Sequence, residues 1–186
     1  MQVPFGEWLP DLPDHVNPGS TQAKNVYPAV NSYRPWRAIV NASGNGLDAR
    51  CQGAGAFKSD SGVVSIFAGD ATKLYKLTSN SFVDESADAY WDFIKFGEVV
   101  IAFNGDDATQ AWTLDSSTDF ADLAGSPPIF RHAAVINNFV VTGNQPDAQN
   151  KVAWASVNSA TAWTAGVNQS DTETLPEGGT ITGMTG

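Results

Sequence analysis

The turn "NGDDATQ" places three oxygen-bearing side chains, Asn104, Asp106 and Asp107, within four residues. Converging oxygens of this kind can begin a calcium cage. The D-x-[DN]-x-[DN]-G spacing and its distal glutamate are missing, so these three are weak metal candidates, and no metal is expected. The related turns "AGDAT" and "GNQPDAQN" also carry acidic residues beside glycine or asparagine. The bland chemistry of the Asp after Gly69 and after Gly105, Asp70 and Asp106, is an Asx-turn, in which a short polar side chain bonds its own backbone.

Other chemical motifs fail on their context. Residues 44–49, G-N-G-L-D-A, fit G-x-G-x-x-A after the strand-like "RAIVNAS", but a dinucleotide site needs a helix there, and Gly53 and Gly55 argue against one. "STDFA" (117–121) approaches the S-x-D-x-G aspartate box of sialidases, with Ala121 where the glycine belongs and no arginine cluster after it. His15 and His132 are the only histidines and neither neighbours a nucleophile turn, so no catalytic residue is assigned. The expectation is a protein that is not an enzyme and needs no cofactor. Cys51 is the single cysteine, which excludes an internal disulfide and reads as a small buried hydrophobe. The sequons at Asn41 and Asn168 carry no weight without secretion.

Composition narrows the partners. The chain of 186 residues is 42% hydrophobic, enough to bury a sizeable core. Asp and Glu number 20 against 10 Lys and Arg, a formal net charge of −10. Tight binding to phosphates rests on clustered Lys and Arg, so tight DNA binding is not expected. Neither the N-terminal "MQVPFGEWLPDLPDH" nor any later window has the apolar run of a signal or membrane helix. The expected setting is aqueous, with no membrane partner.

The elements that must position these residues fall into two regions. Residues 1–36 hold six of the ten prolines among Trp8, Tyr27, Tyr33 and Trp36. Proline denies this stretch an interior helix or a central strand, so it reads as an extended arm whose four aromatics pin it to a surface, its own core or a neighbouring subunit. From residue 37 to 186 the apolar runs are short, rich in Val, Ile, Phe, Trp and Thr, and bounded by Gly, Asn, Asp and Ser. That pattern predicts an all-β fold.

A repeat runs through the second region. "GVVSIFAGDATKLYKL" (62–77) returns as "GEVVIAFNGDDATQAWTL" (97–114) and more loosely as "NNFVVTGNQPDAQNKVAWA" (137–155). In each, an apolar strand ends at a glycine (Gly69, Gly105, Gly143), an acidic turn follows, and the next strand carries an aromatic (Tyr75, Trp112, Trp154). Gly69 and Gly105 are read as positions of positive φ. A further aromatic beyond each unit (Phe82, Phe120, Trp163) and a strand ahead of it bring the total to four short strands per unit. Repeated units of four strands in ~40 residues describe β-propeller blades. Three units and the start of a fourth fall short of a closed ring, which reads as a partial propeller, a fragment of a longer chain or a subunit whose open edge is covered.

Taken in order, "PFGEWLPDLPD", "NVYPAVNSYRPW", "ARCQGAGAF", "VSIFAGDATKLYKL", "FGEVVIAFNGDDATQAW", "NNFVVTGN", "KVAWASVNSATAWT" and "LPEGGTITGM" resemble a family of tailed-phage virion proteins, the head-to-tail hub or packaged-DNA stabilisation proteins. The resemblance covers nearly the whole chain and rests on scaffold motifs. It implies a structural ring subunit of the virion neck or tail, assembled in the host cytoplasm. It also implies self-association, with a hexamer expected, contacts with portal or adaptor and other tail proteins, and a role in retaining the genome. Chains of that family run further, so ending at Gly186 departs from its pattern. DNA would pass nearby, and an acidic lining would repel it over about a Debye length of ~8 Å; general solubility accounts for the acidity equally well. The alternative is a carbohydrate- or receptor-binding propeller module of a tail, which exposed tryptophans beside carboxylates in one blade mouth would favour.

Overall fold

The structure is a computed structural model that describes residues 7–13, 15–19, 22–29, 32–38, 40, 46–85 and 90–186. Among them there is no helix, and every strand pairing is antiparallel. The chain divides into two compact units, residues 1–42 and 43–186.

The first unit contains one hairpin, β1 (Val26–Ala29) and β2 (Ser32–Pro35). Its register sets Tyr27 opposite Arg34 and Pro28 opposite Tyr33. A two-stranded hairpin consists only of edges, so the missing N–H groups of Pro28 and Pro35 do not interrupt a central ladder. The proline-rich stretch thus forms paired strands where the sequence suggested only an extended run.

The second unit holds three four-stranded sheets, each a meander of consecutive strands. The first is β3 (Gly53–Lys58), β4 (Val64–Gly69), β5 (Leu74–Lys76) and β6 (Ser81–Val83). The second is β7 (Asp92–Phe96), β8 (Val99–Phe103), β9 (Gln110–Thr113) and β10 (Ala121–Asp122). The third is β11 (His132–Ile136), β12 (Phe139–Gln145), β13 (Ala148–Trp154) and β14 (Asp171–Thr174). Two-residue loops join β7 to β8 and β11 to β12, and each starts with a residue at left-handed φ, Gly97 at +57° and Asn137 at +52°. Glycine and asparagine tolerate that conformation best.

The side-chain alternation of β8 explains the layering. Val100 and Ala102 point to the first sheet, where Phe67, Leu74 and Trp91 pack with them. Ile101 and Phe103 point to the third sheet and join Phe130, Val140, Ala155 and Trp163. The middle sheet is therefore buried on both faces, and an apolar run such as VVIAF is what such a strand requires. The leading strands lie side by side, β7 beside β3 on one hand and β11 on the other.

The register corrects the sequence-based alignment of the repeats. Gly105 has φ +84°, but Gly69 does not lie in the left-handed region. Glycine stands at 69 because a Cβ there would collide with the Trp91 ring. By strand pairing the residues opposite Ala68, Ala102 and Thr142 are Tyr75, Gln110 and Ala153. Trp112 lies opposite Val100, whereas Trp154 lies opposite Val141. The ladder places Ala155, whose N–H bonds Val140 O at 3.0 Å, where Trp112 sits in the sheet before. Trp112 and Trp154 thus occupy adjacent positions on opposite faces, one buried and one half-buried. Nor does Trp163 close the third sheet, since β14 begins only at Asp171. The predicted start of a fourth unit forms no strand; there Ile181 donates its N–H to Gln149 O and its side chain lies over Gly143. Cys51 is exposed, against the expectation of a buried hydrophobe.

Candidate functional site

Two sets of residues carry candidate function, the aromatics of the first unit and the acidic turns of the second. Trp8 and Trp36 are 55% and 66% exposed, and Tyr27 is also exposed, while Tyr33 is half-buried. Tyr27 and Trp36 form an edge-to-face pair with centroids 6.1 Å apart. The Trp36 N–H bonds Asn25 O at 2.7 Å and extends the hairpin by one rung. The register puts Tyr27 and Tyr33 on opposite faces of the hairpin, so the structure unites Tyr27 with Trp36 and leaves Tyr33 on the other side.

The turn after β8 is built around Asn104. Its Oδ1 accepts the backbone N–H groups of Asp106 and Asp107, each at 2.9 Å, and its Nδ2 reaches Asp107 Oδ2 at 3.5 Å. The Asp106 carboxylate faces Arg131 Nη2 at 3.5 Å. The three side chains named as metal candidates are neighbours, but the amide oxygen of Asn104 serves the backbone and Asp106 turns towards a guanidinium. Among the described residues no group of three His, Cys, Asp or Glu is placed to hold a metal.

The same turn in the first sheet centres on Asp70, which is fully buried. Oδ1 accepts from the N–H groups of Thr72 and Lys73 at 2.8 and 2.9 Å, matching the Asn104 turn atom for atom. Oδ2 accepts from Tyr75 O–H at 2.9 Å and from Ala49 N–H at 3.1 Å, and the Tyr75 oxygen accepts from Asp48 N–H at 3.3 Å. Burial by itself raises the Asp70 carboxyl, but the hydrogen bonds from Thr72, Tyr75 and Lys73 outweigh it and hold the group below its ordinary value. Burial pushes the Tyr75 hydroxyl up, with its hydrogen bond to Asp70 acting in the same direction. The Asx-turn was legible at Asp70; in the second sheet it belongs to Asn104, before the glycine, and not to Asp106 after it.

A third cluster had no sequence signal. Gln110, 1% exposed, donates through Nε2 to Asp122 Oδ1 at 2.7 Å and to Glu85 Oε1 at 3.2 Å. Burial raises the Glu85 carboxyl, and the charges of Asp107 and Asp122 add to the rise. Gln110 and Asp122 are register partners on β9 and β10 and Glu85 follows β6, so only the folded chain joins them. What they make together is a hydrogen-bonded clasp for the second sheet, with no nucleophile among them. His132 is a half-buried residue of β11 opposite Gly143. Asn41 and the start of the 44–49 motif lie outside the described residues, and no described helix is long and apolar enough to cross a membrane.

No family model matches the chain, and no curated protein matches it.

Proposed function

We propose that the three sheets are consecutive blades of a β-propeller and that the protein is a structural ring subunit of a tailed-phage neck or tail. In this reading it joins portal or adaptor to tail and helps retain packaged DNA. The observation that carries it is the middle sheet, which buries both faces against flanking sheets while the leading strands β3, β7 and β11 stand side by side. Propeller blades pack in this radial manner, and their faces are buried only by neighbours. The near full-length resemblance of the sequence to head-to-tail hub proteins supplies the biological setting.

Two further features support a connector over a sugar-binding module. Trp91, Trp112 and Trp163 are buried between strands, so they serve the scaffold and cannot stack on a ligand. The net charge of −10 suits a surface past which DNA slides without adhering. In the hydrogen bonding described above, Asp70 and Asn104 hold turns and Gln110 ties strands together, which fits a structural role.

Native mass spectrometry of assembled necks or tails would count the copies, six being expected, and cryo-electron microscopy of the particles would locate them on the DNA axis. A chain found only as a free monomer, absent from purified particles, would overturn the reading.

A further inference from the structure

In the first two sheets the turn end of the second strand is covered by the residue that leads into the next sheet. Trp91, just ahead of β7, fills the space over Gly69, and Arg131, just ahead of β11, lies within reach of a Cβ at Gly105. In the third sheet that place belongs to Ile181 and Met184, which a Cβ at Gly143 would meet at 3.0 and 3.1 Å. Gly143 stands opposite His132 at the start of β11, and Gly186 lies against the Val135 carbonyl near its end. Residues 181–186 therefore run alongside β11 in its own direction, as a leading strand would. They nevertheless form no strand.

The anchorage of this segment is slight. Ile181 N–H donates to Gln149 O at 2.9 Å, Asn144 Nδ2 donates to Ile181 O at 2.8 Å, and Thr180 Oγ1 donates to Gln149 Oε1 at 2.7 Å. Ile181 and Met184 are half-buried, while the rest of residues 180–186 are exposed. The turn ahead of it is better held. Leu175 N–H bonds Asn150 O at 3.0 Å, Asn150 Nδ2 bonds Leu175 O at 2.9 Å, and Gly178 N–H bonds Leu175 O at 3.1 Å. At the joint between the pinned turn and the segment stands Gly179, where a Cβ would meet nothing, and a cleft of about 400 Å³ opens beside it between residues 146–150 and 178–180. The joint thus has room to move.

We propose that residues 180–186 are a displaceable cap on the third sheet, which opens about residues 178–179 while the sheets stay intact. Among the described residues the third sheet ends the stack, and an end member needs a cover with a polar outer surface. The segment has that character, with Ile181 and Met184 turned in and Thr180, Thr182 and Thr185 exposed. Opening it bares the side of β11 and β12 that holds Ala134, Val141 and Gly143, and frees the Asn144 amide. The few bonds that hold it put its opening at the low end of local free energies, well below that of β8. The inference goes beyond the connector reading and does not depend on it.

Hydrogen exchange of single amides, followed by nuclear magnetic resonance on the full chain, tests the cap. The Ile181 amide should exchange at least about tenfold faster than the paired amides of β12, at a rate that low denaturant leaves unchanged, because a local opening exposes little surface. The double variant Ile181→Ser, Met184→Ser should speed that exchange by a further factor of about ten, raise the fluorescence of an apolar dye and leave β8 as protected as in the parent. An Ile181 amide that exchanges in step with β12, with the same denaturant dependence, would overturn the proposal by making the segment part of the sheet. A variant whose dye signal equals the parent's would overturn it too, since the segment would then cover nothing. So would a variant in which β8 loses its protection, because the two side chains would then belong to the core.

Discussion

The Trp91 indole N–H donates to the backbone carbonyl of Asp70 at 3.0 Å, and its ring occupies the space that a side chain at Gly69 would need. Trp91 stands between the first and second sheets, with its own N–H bonded to Gln52 O at 3.2 Å. It therefore joins the two sheets through packing and through hydrogen bonds at both ends. Trp91→Ala should destabilise the fold by about 3–5 kcal/mol, and Gly69→Ala should cost more than an ordinary strand substitution because the added methyl meets a rigid ring. Urea unfolding followed by far-ultraviolet circular dichroism measures both, and a loss below about 1 kcal/mol for each would remove Trp91 from this role.

Trp112 and Trp154 test the corrected register. Trp112 is 1% exposed, between Phe67 and Phe120, so Trp112→Ala should cost about 3–5 kcal/mol. Trp154 is half-buried and its Nε1 donates to Gln169 O at 2.7 Å, so Trp154→Ala should cost roughly 1–2 kcal/mol. Equal losses at the two positions would restore the sequence-based equivalence.

Asp70 makes stability depend on acid. Its folded carboxyl titrates below the ordinary value of 3.8, so its contribution is complete above that pH and is lost as pH falls through the folded value. Asn104 already builds the same turn with a neutral amide, which makes Asp70→Asn a substitution the fold can accommodate. The variant should fold, be less stable than the parent at neutral pH, and show a shallower fall of melting temperature below pH ~4. An unchanged acid limb would mean that other carboxylates set it.

Asn104 is expected to act through the backbone and not through a metal. Chelator should leave the melting temperature unchanged, while Asn104→Ala, which releases two backbone N–H groups, should cost about 1–2 kcal/mol. A large loss of stability on chelation would return Asp106 and Asp107 to consideration as ligands.

The strands β4, β8 and β12 were legible in the sequence because each is an apolar run that ends in a turn built from Gly, Asn or Asp. The three four-stranded sheets followed from the repeat, whereas the expected start of a fourth unit formed no strand. The register did not follow from the repeat, because it is set by pairing and not by distance from a glycine. In β12 an irregularity between Gly143 and Gln145, where Asn144 adopts φ +62°, shifts the ladder and with it Trp154. β14 was missed for a related reason, since residues 155–170 form no strand and the outer strand waits until Asp171. The bonds of Asp70 to Tyr75 and of Gln110 to Asp122 have no local signature, because they form only once neighbouring turns and strands are brought together by pairing. The hairpin in the proline-rich stretch was hidden by its prolines, which a two-stranded ribbon tolerates.

The layering predicts an order of local stability. β8 is flanked by β7 and β9 along the ladder and by sheets on both faces, so its amides exchange only when several strands separate. β6, β10 and β14 are outer strands with one neighbour each, and Phe82 of β6 is 51% exposed. β1 and β2 form a ribbon of two strands alone. Hydrogen exchange followed by mass spectrometry should therefore rank β8 slowest, the outer strands intermediate or fast, and β1–β2 fastest, with β8 protected about a hundredfold or more over β6. Protection of β1–β2 that equals that of β8 would contradict this order.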